Sequence, residues 1–387
     1  MSTLEEKKPI HFVQLDALRF LAAFMVVIVH AWDAWVTSDH GMPRILMHHD
    51  GSGITWFGEH FRRVIANFNF GVDMFFMISG FLITYLLLKE KTEKGKIDIK
   101  NFYVRRILRI WPLYFFVIAI SPLLVMWLRT SNPGLPEPEY KPVIFFYNNF
   151  RTIMTERWDF PFSHFWSICV EEHFYLVWPF LVAFFPMKKL PYVFVFVIAV
   201  SIGFRCCADE FHWTWYNIYL NTLSRIDALA LGGLVAWIHF HRPFSLQAPW
   251  YARVLLYAIL LWTLSVDNSN DWPNFFEVTF KKYFYLLTIG FCMMNYVFNP
   301  NALFRWGPKH PINYLGKCCF GIYLWGNILL QFVLWKIMFV YFPNMSGWVY
   351  WPIVIGLSLL IPIISYELIE RPFLKLKSRF AVVKTRI

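Results

Sequence analysis

Long apolar runs separated by short polar connections dominate the chain. Runs approaching the roughly 18–20 residues that cross a bilayer as a helix centre on 13–35, 70–89, 108–128, 164–185, 191–207, 217–239, 251–267, 276–297, 313–341 and 349–368. This pattern predicts an all-α polytopic membrane protein with about ten transmembrane helices. The segment 56–70 reads as a shorter interfacial helix. No self-similarity at a period of 20–50 residues is present, which argues against solenoids and simple inverted-repeat transporters.

Composition supports the membrane reading. Hydrophobic residues make up 58% of the 387 and aromatic residues 21%, with only 16% charged; mean hydropathy is +0.45. Soluble domains sit near one quarter charged. No short apolar segment precedes a small-residue cleavage site, so the first run is expected to be a retained helix. One integral-membrane domain over 1–387, with no appended soluble domain, is the simplest division. The net charge of +11 does not point to nucleic acid, because the basic residues lie between the apolar runs as topology signals do. They gather at Lys7 and Lys8, in KEKTEKGKIDIKNFYVRRILR, and from Arg371 to Arg386, whereas SNPGLPEPEY and SVDNSNDWPN are poor in them. Both termini are therefore expected on the cytoplasmic side. The six cysteines show neither metal-ligand nor disulfide spacing, and most read as small buried hydrophobes.

Chemistry enters with the charges inside apolar runs. In LDALRFLAAFMVVIVH, Arg19 and His30 are eleven positions apart. That is three turns plus about 20°, so they share a helix face about 16 Å apart along its axis. Snorkelling and interfacial hydrogen bonding would explain either alone, but ionisable groups at membrane depth are functional candidates by default. Asp73 opens the second helix, Glu171, Glu172 and His173 lie in the fourth, and Arg225 and Asp227 in the sixth. A carboxylate in hydrocarbon costs several kcal/mol unless paired or facing a polar cavity. Arg225 with Asp227 or Asp73 would make a structural ion pair. Ser79–Gly80 reads as close helix packing rather than a nucleophile. Arg106 and Arg109 neighbour each other on one helix face; they serve either as a positive-inside cluster or as a phosphate clamp.

The ordered blocks LDALRFLAAFMVVIVHAW, GVDMFFMISGFLITYLLLKE, FYVRRILRIWPLYFF, HFWSICVEEHFYLVWPFL, RIDALALGGLVAW and YELIERPF resemble the membrane-bound acyltransferase-3 family from about residue 12 to residue 373. The resemblance implies transfer of an acyl group, commonly acetyl, from cytoplasmic acyl-coenzyme A to a sugar hydroxyl of a cell-surface or lipid-linked glycan. It also implies a place in a bacterial inner (plasma) membrane with the acceptor on the extracytoplasmic side. The family's first-helix arginine and histidine fall on Arg19 and His30, its R-x-x-R pair on Arg106 and Arg109, and the glutamate of W-S-x-x-V-E on Glu171. One position departs: where the family writes Y-L-W-H, this chain has Tyr323, Leu324, Trp325 and Gly326. That bears on acceptor identity or rate rather than on class.

The expected arrangement follows. Arg106 and Arg109, with Arg19, hold the coenzyme A phosphates while His30 is the base, with Glu171 or Asp33 orienting its ring. A direct transfer of this kind needs no metal. Asp73, Glu172, Arg225 and Asp227 complete the intramembrane polar candidates. A transporter or flippase of a lipid-linked sugar or small anionic solute would also keep charges along a central cavity, but has no need for a phosphate clamp aligned with an outward base.

Overall fold

The computed structural model describes residues 12–37, 47, 54–243, 249–265, 275–302, 305–342 and 345–380. Its helices are α1 (Val13–Thr37), α2 (Trp56–Ala66), α3 (Gly71–Lys94), α4 (Ile99–Arg129), α5 (Tyr140–Ile144), α6 (Asn148–Thr155), α7 (Trp166–Phe184) and α8 (Leu190–Glu210). Then follow α9 (Trp215–Leu220), α10 (Thr222–His241), α11 (Trp250–Ser265), α12 (Phe275–Phe298), α13 (Pro311–Lys317), α14 (Cys319–Ile328), α15 (Gly347–Ser365) and α16 (Arg371–Lys377). Among the described residues there is no β-strand, only an isolated bridge between Met47 and Ile54.

Over their described residues the ten predicted runs are mostly helical, but they are not ten uniform spans; the run over 217–239 breaks at an extended Asn221 between α9 and α10. Seven helical stretches among the described residues are long and apolar enough to cross a membrane. Trp250–Ser265 and Cys319–Phe332 are shorter apolar helices, and α12 carries Glu277, Lys281 and Lys282 near its start. The run expected over 313–341 divides at Cys318 into α13 and α14. Past Ile328 the chain winds more widely, as a π-helix over Leu329–Tyr341. The segment 56–70 is helical as expected, but a 3-10 turn over Asn67–Phe70 joins α2 directly to α3.

Local signals account for several boundaries. The Asp98 carboxylate accepts from the Asn101 amide at 2.9 Å and caps α4. Gly95 closes α3 with φ +72°, the left-handed conformation that favours glycine. The Lys91 ammonium donates to the carbonyls of Val182, Ala183 and Phe185 at the end of α7. It thereby satisfies acceptors that no further turn would reach.

Helix packing follows the membrane rule that small residues let backbones approach. A Cβ on Gly80 would fall 1.9 Å from the Leu229 carbonyl oxygen, and one on Gly232 2.1 Å from that of Met77, so α3 and α10 cross on reciprocal glycines. Gly316 of α13 meets the Asp16 backbone of α1 in the same way, at 2.0 Å. The central position of α1 shows in its burial: 67% of its most apolar window is buried, against 22% for the stretch containing α8. An apolar helix that neighbouring helices leave uncovered is suited to face lipid. The helix carrying Arg19 and His30 is therefore walled in by protein.

Candidate active site

Two cavities lie along α1. The larger, about 640 Å³, is lined by His30 and Asp33 of α1, Asp73 of α3, and residues of the 158–166 segment, α9, α10 and α12. The smaller, about 190 Å³, is lined by Asp16 and Arg19 of α1, Arg106 and Arg109 of α4, Glu171 and Tyr175 of α7, and Lys377 of α16. Val72 and Tyr323 line both. Arg19 and His30 therefore share a face, as their spacing requires, and each opens into a different chamber. The first turns of α1, the first half of α4 and α16 meet around the smaller chamber.

That smaller chamber is cationic. Arg106 lies with its guanidinium carbon 5.7 Å from the ring centroids of both Phe102 and Tyr175, and its Nε has no hydrogen-bond partner. Arg109 and Lys377 make no hydrogen bond or ion pair with any described residue. Among the described residues Arg19 ion-pairs with Asp16 alone, at 3.5 Å. Arg105 is committed elsewhere, to Glu90 at 3.0 Å and to the Phe380 carbonyl at 2.9 Å. Half-buried cations whose donors stay unused are costly unless an anion or water meets them.

The larger chamber mixes aromatic rings with unsatisfied polar atoms. Trp158, Trp166, Trp215, Tyr219 and Tyr285 contribute ring faces. Asp73 Oδ1, Asp159 Oδ2, Gln331 Oε1, Arg205 Nε and Arg225 Nε are buried without a hydrogen-bond partner. Arg225 lies 3.5 Å from Asp73 and stacks on Tyr219 and Trp166, at 4.7 and 5.3 Å. Asp227 pairs instead with Arg205 and Lys282, both at 2.8 Å, and accepts from the Tyr283 hydroxyl at 3.0 Å. Of the two ion pairs open to Arg225 in the sequence, the structure forms the one with Asp73.

His30 makes no hydrogen bond with any described residue, so both ring nitrogens are available to a ligand. His164 borders the same chamber but is held: its Nε2 faces the Leu324 carbonyl at 3.0 Å and its Nδ1 the Asn327 amide at 3.2 Å. With Nε2 protonated and Nδ1 accepting, both contacts are satisfied. Asp159 lies outside the helices, and burial pushes its carboxyl up to about 6, against an opposing pull from Arg151.

One expected role is redrawn. Glu171 does not stand beside His30; it lines the cationic chamber, facing Ser79, Tyr175, Arg106 and Arg109. Successive residues on a helix point about 100° apart, so the triplet at 171–173 fans out. Glu172 lines neither chamber, and His173 Nδ1 contacts the Thr222 hydroxyl at 2.8 Å. Asp33, the other expected orienter, does share the chamber of His30. Sequence reasoning missed His164, Asp159, Arg205, Lys282 and Lys377; the only signals were a histidine beside Trp166 and a basic tail that reads equally as topology.

Tyr323 stands between the chambers. Its hydroxyl donates to the His164 carbonyl at 2.9 Å and contacts the Ser167 hydroxyl. Three residues on, a Cβ at Gly326 would fall 2.6 Å from Cγ2 of Val27. The position where the resemblance expects a histidine is thus a close approach between α14 and α1. All six cysteines are free; Cys169, Cys292, Cys318 and Cys319 are buried, whereas Cys207 is half-buried and Cys206 exposed. Among the described residues, no group of three or more His, Cys, Asp or Glu side chains is arranged to hold a metal ion.

Comparison with known proteins agrees with the ordered blocks. The acyltransferase-3 family model, described as an acyltransferase domain, matches residues 12–367. A protein of Staphylococcus aureus strain COL, named as a candidate O-acetyltransferase, is 25% identical over 394 residues, covering 95% of this chain and 58% of that one. The O-acetyltransferase OatA of strain NCTC 8325 / PS 47 is 25% identical over 327 residues, covering 79% of this chain and 52% of OatA. The chain thus spans little more than half the length of these relatives. No solved structure matches. This chain belongs to the acyltransferase-3 family of membrane acyltransferases.

Proposed function

We propose that the protein is an O-acetyltransferase. It takes an acetyl group from acetyl-coenzyme A held in the smaller chamber and passes it to a sugar hydroxyl of a cell-surface or lipid-linked glycan held in the larger one. The observation that carries this reading is the pair of chambers of opposite chemistry, meeting at Val72 and Tyr323, with Arg19 and His30 of one helix face lining one each. The relatives' names support the acetyl group and the oxygen acceptor.

The donor is a substrate with several phosphates at one end and a thioester at the other, joined by a long arm. Arg19, Arg106 and Arg109 suit the phosphates because guanidinium forks match their oxygens bidentately. The axial separation of Arg19 and His30, about 16 Å, is comparable to the arm. For the acceptor, stranded donors and acceptors in one aromatic chamber are what a polyhydroxy ligand satisfies, since each hydroxyl both gives and receives.

In the transfer, the unengaged ring of His30 removes the acceptor hydroxyl's proton as that oxygen bonds to the thioester carbon. Collapse of the tetrahedral intermediate breaks the carbon–sulfur bond, and the imidazolium returns its proton to the departing thiolate. The products are the ester and coenzyme A. Asp33, one turn along α1 and in the same chamber, favours the transient imidazolium. The smaller chamber faces the cytoplasm of a bacterial plasma membrane in this reading, because the basic connections lie on its side.

Purified protein in nanodiscs, given acetyl-labelled coenzyme A and a glycan digest of the cell surface, is expected to release coenzyme A and place the label on sugar. Transport of a lipid-linked sugar with no loss of label from the donor would replace this reading by the flippase one.

A further inference from the structure

The Arg19, Arg106 and Arg109 cluster has a fourth cation that comes from the far end of the chain. Lys377 is the last residue of α16 and lines the same chamber. Its neighbours Lys375 and Leu376 are exposed, whereas Lys377 is half-buried. It lies within electrostatic range of Arg19, Arg105, Arg106 and Arg109, all of its own sign, and no described residue hydrogen-bonds or ion-pairs with it. The placement is not an accident of a loose tail. Leu374 is buried, Arg105 donates to the Phe380 carbonyl at 2.9 Å, and Arg371 pairs with Glu367 one turn before α16. Asp16 and Glu171 line the same chamber and offset two of its four positive charges, so a fold that anchors a helix to bring in a further cation leaves a net positive site suited to an added anion.

We propose that Lys377 is a ligand of the donor's phosphates, and that α16 is therefore part of the donor site rather than a topological tail. This rests on the reading of the smaller chamber as the acyl-coenzyme A site. An ammonium on a four-carbon stem is a mobile point charge. It can follow a phosphate that the arginine forks, stacked or packed within the helix bundle, cannot pursue. Bound donor then relieves the repulsion that Lys377 feels, and α16 is held more firmly with donor than without it.

Acetyl-coenzyme A binding to the full-length protein in nanodiscs tests this for wild type, Lys377→Ala, Lys377→Arg and Arg109→Ala, each first shown to keep the wild-type unfolding midpoint. Lys377→Ala is expected to weaken binding about tenfold, as loss of one charge-assisted contact does, and to flatten its dependence on salt. Lys377→Arg, which keeps the charge, should bind within about threefold of wild type. Hydrogen exchange supplies a readout free of substitutions: donor should slow exchange of the amides over 371–380. Wild-type affinity in Lys377→Ala alongside weakened binding in Arg109→Ala would overturn the role of Lys377 and leave the donor site standing. Wild-type affinity in both variants would overturn the donor site itself. Exchange over 371–380 that ignores donor would also overturn the proposal.

Discussion

Asp159 illustrates how a single side chain ties the larger chamber to pH. It is buried at 3% exposure with Oδ2 unsatisfied, and burial pushes its carboxyl up to about 6. A carboxyl whose folded value lies above its unfolded one favours the fold when protonated. That contribution is complete below the unfolded value, near 4, and is lost as pH rises through about 6. Asp159→Asn should therefore raise the unfolding midpoint over wild type at pH 7.5, with the difference vanishing near pH 4. Thermal scans in detergent across that range check it, and a difference that does not change with pH would contradict it. The residue itself was not legible in the sequence. An aspartate between Trp158 and Phe160 in a connection reads as a turn residue; only the tertiary fold shows that the connection lines a chamber. Arg19 and His30 were legible because three turns of helix fix their relative direction whatever packs around them. Glu171 was legible as an intramembrane charge, but its partners were not: phase along α7 does not say which neighbouring helix stands opposite.

The helices themselves were the most readable level, because apolar length is set by bilayer thickness and the predicted runs are mostly helical over their described residues. Their interruptions were less so. The break at Cys318 and the wide turns of Leu329–Tyr341 arise inside one apolar stretch, where hydropathy has no reason to change. Close approaches were legible only in kind: Gly80 was expected to serve packing, and it does so against α10 through Leu229. The departure at Gly326 acquires a structural meaning at this scale. With a Cβ at that position falling 2.6 Å from Val27 Cγ2, Gly326→His should push α14 from α1 and lower the unfolding midpoint. Adding Val27→Ala, which removes the obstructing methyls, should recover a large part of the loss. The double-mutant cycle measures this coupling; additive effects would show that the two helices do not meet there.

Across the whole molecule, α1 is walled in by protein and exposes one end of a single face to each chamber. The cationic chamber collects its charges from the two ends of the chain and the most basic connection. The aromatic chamber draws on six stretches between α1 and the 327–331 region. In the proposed reaction, such an arrangement would keep a charged donor and a hydroxylated acceptor apart until they meet near Tyr323. It also predicts that binding and chemistry are separable, because Arg109 and His30 occupy different chambers.

The most direct test compares wild type with His30→Gln in nanodiscs. Each preparation is measured for acetyl-coenzyme A affinity and for glycan-dependent cleavage of its thioester. The expected result is unchanged affinity with cleavage reduced by about 10²–10⁴-fold, the usual contribution of a positioned base. A His30→Gln protein that binds donor normally and still transfers acetyl at the wild-type rate would contradict the account.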